Sequence, residues 1–144
     1  MRAIRLAFAF LLVAALVAPA SAAQHRLLIH VDSPDPAVMT EALHNAANVV
    51  KAMRAQGDQV AIEIVANGPG TSMLIEPLSP VKDDVRRLHA AYPDVVLSAC
   101  GVSLAHMEAT MKRKLPVMTE ARVVPSGAVR IMELEEQHWT YLKP

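Results

Sequence analysis

Arg26-Leu27-Leu28-Ile29-His30-Val31-Asp32-Ser33-Pro34-Asp35-Pro36 is the stretch that decides how the rest of the chain is read. Its compact apolar run, with β-branched residues, is a buried strand, and Ser33 to Pro36 form the turn that ends it. Asp35 offers an N-cap oxygen, and Pro36 stands at N1, where a missing N–H does no harm. Val38, Ala42, Ala46, Val49, Val50 and Met53 then recur at helical spacing, and Gly57 stops the helix as a C′ glycine does. The reading is one strand, one turn and a long helix over residues 36–56.

The same order recurs downstream. Residues 59–66 alternate Val60, Ile62 and Ile64 with Ala61, Glu63 and Val65, a second strand that runs into the turn Asn67-Gly68-Pro69-Gly70. Residues 71–78 read as one helical turn and a loop. Ser79-Pro80 repeats the cap-plus-proline start, with Asp83 and Asp84 in the first turn, where they suit the helix dipole. Val81, Val85, Leu88 and Tyr92 give that second helix its apolar face. Residues 94–99 are a third strand leading straight into Cys100-Gly101, and Leu104, Met107, Met111 and Leu115 step along a third helix. Arg122-Val123-Val124 is a fourth strand, Pro125-Ser126 opens a fourth helix that ends near Gln137, and residues 139–142 suit a last short strand. Strand–helix alternation with nearly all-apolar strands predicts an α/β fold: a mainly parallel sheet with helices on both faces.

The first residues stand apart from this pattern. Arg2 and Arg5 precede an unbroken apolar run of 12 residues, Leu6 to Val17, and then the small residues Ala18 to Ala23 on an A-x-A pattern. That order is a secretory signal peptide, and the run is short of the about 20 residues that a spanning helix needs. Cleavage is expected after Ala22, with Ala20 and Ala23 as alternatives. The division is therefore a leader at 1–22 and one domain at 23–144, in the periplasm or secreted, with no membrane attachment after cleavage. The leader removes two arginines, so the remaining domain carries a formal charge near −2. With no basic stripe and only 3% aromatic residues, nucleic-acid binding is not expected.

In open parallel sheets ligands bind at the carboxyl ends of the strands. Three loops fall there: Asp32-Ser33, Asn67 to Gly70, and Ser98 to Gly101. Cys100, the one cysteine of the chain, sits between a strand and a helix start, where free backbone N–H groups favour a thiolate. Such a thiol is reactive, or buried and inert, or pairs between chains; a lone cysteine allows no internal disulfide. Gly101 leaves room for a partner to approach. Asn67, Gly68, Pro69 and Gly70 form a loop that can turn N–H groups toward an anion, but it is neither a P-loop nor a dinucleotide fingerprint, and no cofactor is expected. The six histidines are scattered, with no H-x-H, H-E-x-x-H or Cys/His cluster, so no metal site is expected. No G-x-S-x-G is present, which argues against an ordinary serine hydrolase. Met39, Met53, Met107, Met111 and Met132 fall at apolar helix positions and suit a core or a subunit interface better than copper.

Several of these pieces together resemble the DsrE/DsrF-like sulfur-relay family. They are Asn48 within Asn45-Ala46-Ala47-Asn48-Val49, the loop Val65-Ala66-Asn67-Gly68-Pro69-Gly70, the turn Ala99-Cys100-Gly101-Val102-Ser103-Leu104, and the tail from Val123 to Pro144. The resemblance runs from about His25 to the end. It implies a flavodoxin-like three-layer α/β/α sandwich with a five-stranded sheet, and homo-oligomers such as trimers or hexamers. It also implies a cysteine, here Cys100, that accepts sulfur as a persulfide from a donor protein and passes it to an acceptor. Asn48, Gly101 and Ser103 join the Asn67–Gly70 loop as binding residues on the same basis. The chain departs from the family's pattern at Val102-Ser103, where Asn-Thr often stands, and at His138-Trp139, where Gly-Tyr does. The alternative is a non-catalytic ligand-binding or assembly module in which Cys100 is structural.

Overall fold

Strand β1 (Gln24–Val31) enters helix α1 (Pro36–Gln56) through the turn read from the sequence. Asp35 caps the helix by accepting the Ala37 N–H at 2.9 Å. Gly57 closes it in the left-handed conformation, at φ 81°. The computed structural model describes residues 24–144, and the expected leader lies outside them. Strand β2 (Gln59–Ala66) is followed by a short 3-10 helix (Gly68–Leu74), α2 (Lys82–Ala91), β3 (Val96–Cys100), α3 (Gly101–Met111), β4 (Arg122–Val124), α4 (Gly127–Glu136) and β5 (Thr140–Leu142).

The five strands form one sheet in the order β4-β3-β2-β1-β5, and every pairing is parallel. The first three crossovers step in one direction across the sheet and the last returns. Since such crossovers keep one hand, the return puts α4 on the opposite face from α1 and α2. The sheet is thus flanked by helices on both sides, as the alternation predicts.

The two faces differ in chemistry. On the α1/α2 side, Leu27, Ile29 and Val31 of β1 and Ile62, Ile64 and Ala66 of β2 meet Met39, Leu43 and Val50 of α1 and Val85 and Leu88 of α2 in one large apolar core. On the α4 side the apolar cluster is small, with Leu28, Val65 and Leu134 at its centre and Ile131 and Trp139 against it. Because strand side chains alternate, that second face also receives Glu63, Ser98, Cys100 and His30. Most of the sheet's buried polar chemistry therefore lies under a single helix.

Three local expectations change. Helix α2 begins at Lys82, after Val81, rather than at Ser79-Pro80; Ser79 Oγ instead accepts the Val81 N–H at 3.3 Å and holds a turn. Residues 68–74 are helical in the tighter 3-10 form, so Gly68, Pro69 and Gly70 belong to its first turn. Helix α3 ends at Met111, where Lys112 takes a left-handed conformation at φ 52°, and none of its residues is buried. Leu115 is buried, but in the following loop. On the apolar stripe of α3, Leu104 and Met107 are half-buried and Met111 is exposed, so this chain covers it only in part.

Candidate functional site

Cys100 is the last residue of β3 and the N-cap of α3. Its Sγ accepts the Ser103 N–H of α3 at 3.4 Å. It also accepts the Gly127 N–H, the first of α4, at 3.1 Å. The sulfur thus lies at the N-termini of two helices, where the unpaired N–H groups and the aligned peptide dipoles both favour negative charge. Burial pushes the thiol up, but the hydrogen bonds from Ser103 and the backbone N–H groups of Gly127 and Val102 outweigh it and hold Cys100 below its ordinary value. Only 4% of the residue is exposed.

Two glycines make this geometry possible. A Cβ on Gly127 would lie 2.7 Å from the Asn67 Cβ and 3.1 Å from the Cys100 Cβ, so only a bare Cα lets α4 begin there. A Cβ on Gly101 would come within 3.0 Å of the Val124 carbonyl. Gly101 was read as room for an approaching partner; in the fold that room is filled by the β4–α4 connection.

The sequence-derived residues distribute as follows. Gly68, Pro69 and Ser103 line one apolar hollow of about 500 Å³ with Val102, His106 and Met107. Within it Ser103 Oγ accepts the Gly68 N–H at 2.8 Å, which ties the second loop to the cysteine loop. Asn67 turns to the α4 side, beside Gly127. Gly70 is a packing position, since a Cβ there would sit 2.3 Å from the Val31 carbonyl oxygen. The N–H donors to the sulfur come from α3 and α4 rather than from the Asn67–Gly70 loop. Asn48 is exposed on α1, the helix that packs on the other face of the sheet.

Other functional groups had no signal strong enough to single them out. Glu63, only 1% exposed, accepts from Ser98 Oγ at 2.7 Å, Arg122 Nη2 at 2.9 Å, and Arg130 Nε at 3.0 Å and Nη2 at 2.7 Å. Burial pushes its carboxyl up, but the bonds from Arg130, Ser98 and Arg122 prevail and hold it low. Both arginines also line a cleft of about 350 Å³ between β4 and the start of α4. At the other edge, His30 Nδ1 lies 2.6 Å from the Tyr141 hydroxyl, and its Nε2 lies 2.8 Å from Asn67 Oδ1. Lys143 Nζ donates to Asp32 at 2.6 Å and holds that carboxyl below its usual range. A lone glutamate in an apolar strand was the available clue to the first cluster, because a buried charge needs partners. Among the described residues no group of three or more His, Cys, Asp or Glu is placed to hold a metal, and no helix is long and apolar enough to cross a membrane.

The arrangement is similar to a solved structure, that of MTH1491, a protein of unknown function from Methanobacterium thermoautotrophicum. The two share 25% sequence identity and superpose with a TM-score of 0.69, over 83% of this chain and 99% of that one. No family model and no curated protein matches the chain. The likeness supports the α/β architecture with its parallel five-stranded sheet.

Proposed function

We propose that this chain is an exported, DsrE/DsrF-like sulfur-handling protein in which Cys100 acts as a thiolate that takes up and passes on one sulfur atom. The observation that carries this is the pair of helix N-termini converging on Sγ, with N–H donors at 3.1 Å and 3.4 Å. Both donors favour an anionic sulfur, and the thiolate is the attacking form in sulfur exchange. In the step envisaged, the Cys100 thiolate attacks the outer sulfur of a donor persulfide, R–S–SH. A new S–S bond forms to give Cys100–S–SH, the donor's S–S bond breaks, and R–S⁻ leaves with the electron pair. No oxidant or cofactor enters the balance. Transfer to an acceptor thiolate is the same step in reverse sense.

The same proposal includes export by the leader at 1–22 and assembly into a homo-oligomer through α3. Support for the second point is that α3 leaves Val102 63% and Met111 40% exposed, with no residue buried in its own chain. Val123 of the edge strand, 50% exposed with its Cγ1 beside Gly101, is a further exposed apolar side chain near the start of α3. A second copy of this chain is the occupant proposed.

One observation favours the alternative, a binding or assembly module with a structural cysteine: Sγ already satisfies two helix ends and is almost fully covered. Alkylation separates the readings. With iodoacetamide near neutral pH, a functional Cys100 labels in the native state faster than a model thiol. Labelling only after denaturation leaves the sulfur as a helix cap. Intact mass of protein recovered from the periplasm supplies the second arm: a chain beginning near Ala23 and carrying about 32 Da more, one sulfur atom, supports both export and persulfide.

A further inference from the structure

Glu63 is the one buried acid among the described residues, and two guanidiniums meet it. The trio therefore holds one positive charge in excess. Its two arginines are used differently. Arg130 donates to Glu63 from Nε and Nη2, and its Nη1 meets Glu133 at 3.1 Å, so both edges of the group have partners. Arg122 spends only its inner edge: Nε donates to Ser98 Oγ at 3.1 Å and Nη2 to Glu63 Oε1 at 2.9 Å. Ser98 and Glu63 are buried and a guanidinium is planar, so these two bonds fix its plane and turn the opposite edge outward. That edge, Nη1 with the second Nη2 hydrogen, has no acceptor among the described residues, and the Arg122 side chain is 51% exposed.

Arg122 borders the cleft of about 350 Å³ between β4 and the start of α4. Val123, Pro125 and Val129 give that cleft an aliphatic wall. The one acid that lines it, Glu133, is already paired with Arg130. A free guanidinium edge makes two parallel N–H···O bonds to a carboxylate, and the wall beside it suits a short hydrocarbon chain. The volume lies at the lower end of the range of about 300–1,000 Å³ for small-molecule sites. An extended peptide fits less well, because β4 is an edge strand of only three residues and offers a short template for main-chain pairing.

We propose that the β4–α4 cleft binds a small aliphatic monocarboxylic acid, with the outward edge of Arg122 on the carboxylate and Val123 and Val129 against the chain. Cys100 does not line the cleft, and binding there is independent of how the thiol acts.

The test is a titration of the folded chain with hexanoate, followed by the NMR shifts of its backbone amides. Hexanoate is expected to shift the amides of residues 122–130 saturably, with half-saturation at about 1 mM, as suits so small a ligand. Hexanamide, which lacks the charge, and acetate, which lacks the chain, bind at least about tenfold more weakly. Val129→Asp sets an acid in the exposed wall, leaves the Glu63 cluster untouched and abolishes the shifts. Arg122→Lys keeps the charge without the fork and weakens hexanoate about tenfold. Arg122 also ties β4 to Glu63, so thermal melts accompany both variants, and Val129→Asp decides the matter if Arg122→Lys does not fold. The proposal is overturned by hexanoate that gives no saturable shift at about 10 mM, by hexanamide that matches it, or by shifts that survive in Val129→Asp. It is overturned equally by a second copy of the chain already seated in the cleft: the same amides then move on dilution of the protein and ignore hexanoate.

Discussion

Replacing Glu63 by glutamine removes one negative charge and almost no volume, so it isolates what the buried carboxylate does. Glu63 is 1% exposed and bridges β2 to Ser98 of β3, Arg122 of β4 and Arg130 of α4. Removing one partner of a buried ion pair costs about 3–5 kcal/mol when the other charge is left stranded. Here the stranded charges have outlets. The Arg122 side chain is 51% exposed, and Arg130, at 24%, keeps Glu133 at 3.1 Å. The cost of Glu63→Gln should therefore fall to about 2–3 kcal/mol. An unfolding entropy of about 2.1 cal/mol/K per residue over a domain of this size gives about 4 °C per kcal/mol, so a loss of roughly 8–12 °C in Tm at pH 7. The pH dependence supplies the control. The carboxyl is held low in the folded state, by burial opposed and outweighed by Arg130, Ser98 and Arg122, so the unfolded chain takes up its proton first. Its stabilisation is complete above the unfolded value of about 4.3 and is lost as pH falls through the folded one. Calorimetry of both proteins from pH 7 downward should show the Tm difference shrinking below about pH 4. A difference under about 2 °C at pH 7, or one that persists undiminished in acid, refutes the argument that the charge of Glu63 clamps α4.

Two further outcomes follow from the packing. Gly127→Ala sets a methyl 2.7 Å from the Asn67 Cβ, and overpacking of that kind costs about 1–3 kcal/mol; a Tm unchanged or raised in a thermal melt counts against the close approach of α4 to the strand ends. Val102→Asp places a charge on the most exposed apolar side chain of α3, and sedimentation of the processed chain at micromolar concentration should shift at least tenfold toward monomer; a wild type that sediments as a monomer removes the proposed assembly.

Local chemistry was legible where neighbours in sequence carry it. Asp35, Pro36 and Gly57 mark α1 because caps act within three or four residues, and the alternation along 59–66 marks β2 for the same reason. Glu63 and its arginines were not legible, since the partners stand 59 and 67 positions away and only the sheet order brings them together. The Gly127 N–H that reaches Cys100 is 27 positions off, so the sequence could point to one helix end at the sulfur but not to the second. The apolar spacing of Leu104, Met107 and Met111 reports a face that avoids water. It does not report whether the cover is the chain's own core or a subunit interface, and the sequence leaves both open; only the end of α3, at Met111 rather than Leu115, differs.

The contrast between the two faces bears on how a covered sulfur could act. Helix α1 is held by a long apolar contact, with five buried residues from Met39 to Val50. Helix α4 buries only Gly127 and Leu134, and its firmest tie is the Glu63–Arg130 pair near its start. Segments with few buried apolar contacts open at lower free energy than the core around them. Gly127, which donates to Cys100 Sγ, is the first residue of that weakly packed helix, and Arg130 three residues on ties the same end to Glu63, so the cover of the sulfur rests on an ion pair more than on apolar packing.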